Sequence, residues 1–556
     1  MERQGGGLIL GLSLSALALV VALPMLFVFL QALFPYLTEG SFRDPFGSIT
    51  RTLSEPRLPG LLGNTILLGI SVALCSLVIA LPLAVLRGLT KLPAAPLWDL
   101  LLLIPFMVPP YVGAFSWILT LQPGGFSTQL LGIDGGSLIF SFTGIVLVMS
   151  LHLFPVVYFA LSRTMATVGG RFASVARVCG ASPLRAFLTV TLPLSTPGLA
   201  ASLLLVFALS IEEFGTPATL GAHAGFHVLV TAIHLRFTDW PIDLPGAAVL
   251  SMLLVVLALG AFLLQHWIIT RRTYVSVAGK SARDEAAPLG PWRLPAVALF
   301  SAVSLVAVVI PVGAVILSAL SRTLSGGLSP DNLGLENFAA IFANRGGALD
   351  ALRTSLSLAV GAALCAGLLG TLTAFITVRS TLPGRRMMDF LSLLPNALPG
   401  MVVAVGLILA WNREWWPVPI YNSMAILLLA YVCLLLPYPV RYVGAGLRQI
   451  GESLDAAARV SGAGFGMTLR RILVPLIAPN LMVSMLLVFA IASRELVSSI
   501  MLAPPGVSTV ATFVFGQFEQ GSPGLGMAMS VIAIFSSTAL LVALNQMQRR
   551  VSVSAD

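Results

Sequence analysis

The sequence predicts an all-α polytopic membrane protein of about twelve transmembrane helices in two homologous six-helix halves. Three observations predict it. Of 556 residues, 57% are hydrophobic and only 10% charged, with a mean hydropathy of +0.97, which leaves too little polar surface to cover soluble domains. Apolar segments of spanning length recur along the whole chain. The chain also repeats itself. Ala176-Arg177-Val178-Cys179-Gly180-Ala181, Leu192-Pro193, Pro197 and Leu205-Val206-Phe207-Ala208, ending at Glu213, return as Ala458-Arg459-Val460-Ser461-Gly462-Ala463, Val474-Pro475, Pro479 and Leu487-Val488-Phe489-Ala490, ending at Glu495. The register holds without a gap from about Phe172 to Glu213, so two copies of one unit were joined.

The elements follow in order. Arg3 precedes an apolar run from Leu8 to about Leu33, longer than a signal-peptide core of roughly 7–15 residues, so it reads as a retained first helix. Further apolar segments lie near 61–86, 97–121, 138–161, 198–222 and 248–270 in the first half, and near 293–319, 351–377, 386–411, 421–447, 480–503 and 524–546 in the second. Each supplies the ~20 residues needed to cross a core of roughly 30 Å. Lys and Arg collect in alternate short loops: Arg87 and Lys91; Arg163 to Arg185; Arg271 to Arg293; Arg379 to Arg386; Arg448 to Arg471; Arg549 and Arg550. These loops are expected on the cytoplasmic side, with both termini inside. The polar stretch with Ser276, Gly279, Ser281, Asp284 and Glu285 reads as a linker. The expected domains are a first repeat over 1–275, a cytoplasmic linker over 276–292 and a second repeat over 293–556. Upstream, Asp99, Pro105 and Pro109 match Asp389, Pro395 and Pro399, and Pro155 matches Pro437.

Several function classes are excluded. The net charge of +9 comes from basic residues scattered between apolar segments rather than gathered on one face, so no nucleic-acid partner is expected and the lipid bilayer is. Cys75, Cys179, Cys365 and Cys433 have no CxxC spacing, which gives neither a disulfide framework nor a zinc site. Gly279-Lys280-Ser281 imitates the end of a phosphate-binding loop, but Tyr274 stands where that cradle needs Gly. His223, His227 and His234 share an outer loop without a zinc signature, and no metal site is assigned. No hydrolase motif or acid/base carboxylate cluster occurs, so the chain itself is expected to be no enzyme and to bind no cofactor.

The motif-bearing loops span about 163–197 and 448–479. Their pattern, Ala-x-x-x-Gly-Ala followed by a Pro thirteen residues after the Gly, resembles the EAA signature of binding-protein-dependent ABC transporter permeases. Ala176, Gly180, Ala181 and Pro193, then Ala458, Gly462, Ala463 and Pro475, stand at the coupling positions. Gly allows a sharp turn between two short helices, and Pro is expected to begin the next helix or redirect the chain. Where the signature has Glu, this sequence has Ser174 and Ala456, with Glu452 and Asp455 nearby in the second half only. Ile211-Glu212-Glu213-Phe214-Gly215-Thr216-Pro217, Arg494-Glu495-Leu496 and Leu502-Ala503-Pro504-Pro505-Gly506 resemble the corresponding helices of fused iron(III)-type permeases. The resemblance implies a type I ABC importer permease fold in a bacterial cytoplasmic (inner) membrane. It further implies two copies of a cytoplasmic ABC ATPase subunit that carry ATP and Mg, an extracytoplasmic solute-binding protein, and ferric iron as solute. Thiamine, a phosphonate or a polyamine would suit the same machinery. A secondary transporter is the reading from another class.

Glu213 and Glu495 carry information without any family. If their helices enter the membrane near Pro197 and Pro479, the carboxylates lie roughly 24 Å along at 1.5 Å per residue, in the outer half of the bilayer. An ionisable group there is costly unless it faces a polar interior or a partner. Both halves interrupt their apolar run at this place, so Glu213 and Glu495, with Glu212 and Arg494 beside them, are expected to line a solute pathway between the halves and to suit a cation.

Overall fold

The computed structural model describes residues 2–271, 286–380, 383–451, 453–454, 458, 460–462 and 465–553. Most of the expected linker, 276–285, therefore lies outside the described residues, as does the Gly279-Lys280-Ser281 stretch. The described residues form helices, two isolated β-bridges and no strand. Eight of the helices are long and apolar enough to cross a bilayer, and four bent helix pairs raise the number to twelve if each pair is one span.

Two of the bent pairs break at matching prolines. Ala95–Met107 and Pro110–Leu131 meet at 94°, and Arg385–Ala397 and Gly400–Trp411 at 116°. Between the pieces Val108 and Pro109, then Leu398 and Pro399, are extended. A residue before proline is pushed out of the α region, and the proline itself donates no N–H to continue a helix. The paired prolines noted in the sequence thus mark breaks, where two uninterrupted spans were expected. Two stretches expected as outer loops also hold helices, Leu229–Thr238 and Val510–Glu519. The second begins with a capping box in which the Thr509 and Thr512 hydroxyls each accept the other's backbone N–H.

Four of the five π turns among the described residues recur with the repeat. Ala18–Ala22, Phe187–Thr191, Leu305–Val309 and Leu469–Leu473 are each followed, one residue on, by a proline: Pro24, Pro193, Pro311 and Pro475. A proline ring collides with the carbonyl four residues before it. That carbonyl belongs in each case to the central residue of the π turn, where the widened ring of i→i+5 bonds gives the pyrrolidine room.

The chain packs as two compact units that cross the repeat boundaries. One comprises 1–55, 233–255 and 338–556; the other, 56–232 and 256–337. In the first unit the Leu23–Leu33 helix of the first repeat lies on the Gly400–Trp411 helix of the second, and Leu17, Val20 and Val21 join Val403, Leu407 and Tyr431 in one core. Gly406 permits this approach, since a Cβ there would stand 2.7 Å from the Pro24 carbonyl oxygen. Arg413 secures the end of the pair by donating to the Leu37 carbonyl at 3.0 Å, its guanidinium 5.3 Å from the Phe27 ring centre. In the second unit the Ile310–Leu320 helix of the second repeat lies on Pro110–Leu121 of the first, and Phe300 meets the rings of Trp98 and Tyr158. Each repeat thus lends its leading helix to the body of the other, whereas each half was expected to be one domain. Self-similarity reveals where a unit recurs but not which copy's face it covers.

Candidate functional site

The first coupling loop closes the Phe142–Val178 helix. The N–H of Ala181 donates to the Ala176 carbonyl at 3.0 Å, and that of Gly180 to the Arg177 carbonyl at 3.0 Å, with Gly180 at φ 90°. This is a Schellman motif, and its left-handed residue costs about 1–2 kcal/mol for most residues other than Gly and Asn. The letters Ala-x-x-x-Gly-Ala are therefore the first, fifth and sixth positions of one hydrogen-bonded turn. The Ser182 hydroxyl then accepts the Arg185 N–H at 3.3 Å, and Pro183 opens the next helix, where its missing N–H has no partner to lose. In the second loop Gly462 takes φ 78° and Ala458 is helical and buried. Ala463 lies outside the described residues, as do Glu452, Asp455 and Ala456.

Two side chains that the sequence did not single out stand on these loops. Val178 is 88% exposed and Val460, at the same repeat position, 90%. One exposed valine is commonplace on any surface. The same exposure in both copies, with Val175 and Leu184 also exposed beside the first, makes an apolar knob beside each glycine.

From the first loop a single rod of 30 residues, Pro183–Glu212, runs on, roughly 45 Å at 1.5 Å per residue. Within it Pro193 stands in the first turn of the Leu192–Glu212 α-helix, just after the Phe187–Thr191 π turn. Pro475 has the same setting after Leu469–Leu473.

Both rods break at the carboxylates. Leu192–Glu212 ends at Glu213, whose two carboxylate oxygens accept the Thr216 N–H at 3.1 and 3.0 Å. Val474–Ala492 ends just before Glu495, whose oxygens accept the Ser498 N–H at 3.0 and 3.0 Å and the Ser499 N–H at 3.2 Å. Each carboxylate thus caps the short helix that follows the break. Glu212 closes its rod half-buried, and no hydrogen bond to its carboxylate occurs among the described residues. At the matching position the second half carries Arg494. The first short helix, Pro217–Ala224, continues at 89° into Leu229–Thr238, and the second, Val497–Leu502, is followed by Val510–Glu519.

The outer histidines are separately placed. His223 Nδ1 lies 3.2 Å from the Thr219 carbonyl and its ring packs on Phe140, while His234 Nδ1 lies 3.3 Å from Met501 Sδ. Among the described residues no group of three or more His, Cys, Asp or Glu is placed to hold a metal ion. Near His234, Arg236 pairs with Glu55 at 2.6 Å and with Asp243, and is only 16% exposed.

A duplicated bundle of membrane-crossing helices, with a glycine-turned loop leading into a broken helix in each copy, defines a polytopic transporter subunit. The family follows from comparison with known proteins. The model for the binding-protein-dependent transport system inner membrane component matches residues 66–274 and again 366–553, and the chain belongs to that family. It is 25% identical to a ferric transport system permease protein of Actinobacillus pleuropneumoniae over 97% of this chain and 78% of that one. It is 23% identical to an Fe(3+)-transport system permease protein of Haemophilus influenzae over 90% and 92%. A Salmonella typhimurium protein named for 2-aminoethylphosphonate transport is 26% identical, over 43% of this chain and 89% of its own.

Proposed function

We propose that this chain is the permease of an ATP-driven importer of ferric iron. It receives the ion from an extracytoplasmic solute-binding protein and is driven by two copies of a cytoplasmic ABC ATPase, which hold the ATP and Mg. Both termini lie in the cytoplasm, as the alternating basic loops require. The observation that carries the reading is the duplicated coupling loop: a left-handed glycine in each copy, an exposed valine two residues before it, and a helical rod leading from it into the membrane. Where the signature's Glu is replaced by Ser174 and Ala456, the valine knobs supply an apolar contact to the ATPase instead. Ferric iron is favoured over a phosphonate because the ferric permeases are similar over nearly the whole fused chain, and the phosphonate relative over less than half of it.

In this mechanism the ATPase displaces each loop, and the rod carries the displacement to the break at its far end without dissipating it in a flexible connector. The test is a complex of this chain with its ATPase and binding protein in proteoliposomes. Ferric iron presented on the binding protein should be taken up with ATP. Val178→Asp with Val460→Asp should lower ATPase retention about tenfold or more, since burying an unpaired charge in an apolar contact costs several kcal/mol. Uptake of 2-aminoethylphosphonate without uptake of iron would overturn the cargo. Undiminished ATPase retention by the double variant would overturn the docking surface.

A further inference from the structure

We infer that Glu213 and Glu495 are positioning residues of the transport cycle, each the internal cap that fixes the short helix after the break in its half, and that the position calls for an acceptor at the end of a long side chain rather than for a charge aimed at the cargo. The inference rests on the transporter reading above and deepens it. Four observations support it. In both copies the carboxylate accepts the N–H three residues on, at the same repeat position; Glu495 also accepts the Ser499 N–H, where the first copy has Pro217 and no N–H. The helix-capping carbonyls belong to the following residues, Phe214 and Leu496, which accept from Ala218 and Ile500. Each Glu therefore stands one residue before the one whose carbonyl starts the helix, and a glutamate holds that place in both copies.

The third observation is where the capped segment is seated. A Cβ on Gly215 would stand 2.8 Å from Tyr111 Cβ, so the start of the first short helix lies directly on the Pro110–Leu121 helix just past the Pro109 break. In the second copy the small residue is on the other partner. A Cβ on Gly400, just past the Pro399 break, would stand 3.8 Å from Val497 Cγ1. In each compact unit the two discontinuities of one half are thus packed together, which is where non-helical backbone is tolerated inside a membrane. The fourth is continuity, since the rod from the coupling loop ends at this residue. A loosened cap would uncouple the rod from the segment beyond it while leaving both helices formed.

The chemistry separates this role from that of a cation ligand. Gln keeps the length and one acceptor oxygen but has no charge. Asp keeps the charge but is one methylene shorter, and Leu keeps the bulk without an acceptor. For the capping role the order of activity is Gln above Asp and Leu; for a cation ligand it is Asp above Gln. In the reconstituted complex, with ferric iron on the binding protein as probe, Glu213→Gln and Glu495→Gln should transport within about threefold of the parent. Glu213→Asp, Glu213→Leu and their Glu495 counterparts should fall about fivefold to tenfold or more, the scale of a lost cap. Hydrogen exchange of the same preparations gives a second readout without cargo: peptides covering 214–224 and 496–502 should exchange faster in the Asp and Leu variants and near the parental rate in the Gln variants. Asp variants that outperform Gln, Gln variants as impaired as Leu, or exchange that is the same in all variants would each overturn the inference. If the parent moved no iron, the cargo assignment would fail while the exchange order still tested the cap.

Discussion

At Gly180 and Gly462 the backbone is left-handed and nothing lies within 4 Å of the place a Cβ would occupy, so substitution there is penalised by conformation alone and not by a clash. Gly180→Ala and Gly462→Ala should each raise the free energy of the folded loop by about 1–2 kcal/mol, and Asn, which tolerates this region, by less. The check is retention of the ATPase by the purified variants, in the order Gly, Asn, Ala, Val; equal retention by all four would mean that the turn is not what the partner reads. The glycines were legible in the sequence because the motif was duplicated. The reason for the flanking alanines was not, since Ala176 enters the turn through its carbonyl and Ala181 through its N–H, and neither leaves a mark on residue type. Nor could the sequence say that Val178 and Val460 would be exposed, because valine in so apolar a chain is unremarked. The twin glutamates were visible as a symmetric pair, but their hydrogen bonds run to backbone amides, which carry no letter.

Among the elements, the π turns give a prediction of their own. If the ring of Pro193 forces the wide turn before it, Pro193→Ala relieves that constraint, restores an N–H donor to the rod and should stabilise the protein by about 1 kcal/mol. The uptake rate should not fall with the gain in stability, because a stiffer rod transmits the displacement of the loop at least as well. Thermal unfolding and iron uptake of Pro193→Ala, Pro475→Ala and the double variant measure both; unchanged stability would show that the turn owes its form to packing. Periodicity found most spans, since an apolar run of spanning length is unambiguous in composition. It counted the stretches around Pro109 and Pro399 as uninterrupted because hydropathy averages over a two-residue break. It passed over Leu229–Thr238 and Val510–Glu519 because each is too short to cross a bilayer, although Thr509 and Thr512 spell out a helix start.

For the molecule as a whole, the leading helices belong by sequence to one repeat and by packing to the other. Residues 1–275 and 293–556 expressed separately should each be degraded, and coexpression should restore a complex that purifies through a tag on either piece. Stable accumulation of either piece alone, with native-like protease resistance, would contradict the exchanged packing. The order of synthesis adds a further consequence. The Leu23–Leu33 helix leaves the ribosome well before the Gly400–Trp411 surface it covers is made. At roughly 5–20 residues per second the interval is on the order of 20 s to over a minute. Throughout that time the helix has only lipid, the insertion machinery or the nascent first repeat for company. Its half-exposed apolar face, with Leu26 and Phe29 turned outward even in the finished fold, equips it to wait in the bilayer until the second repeat arrives.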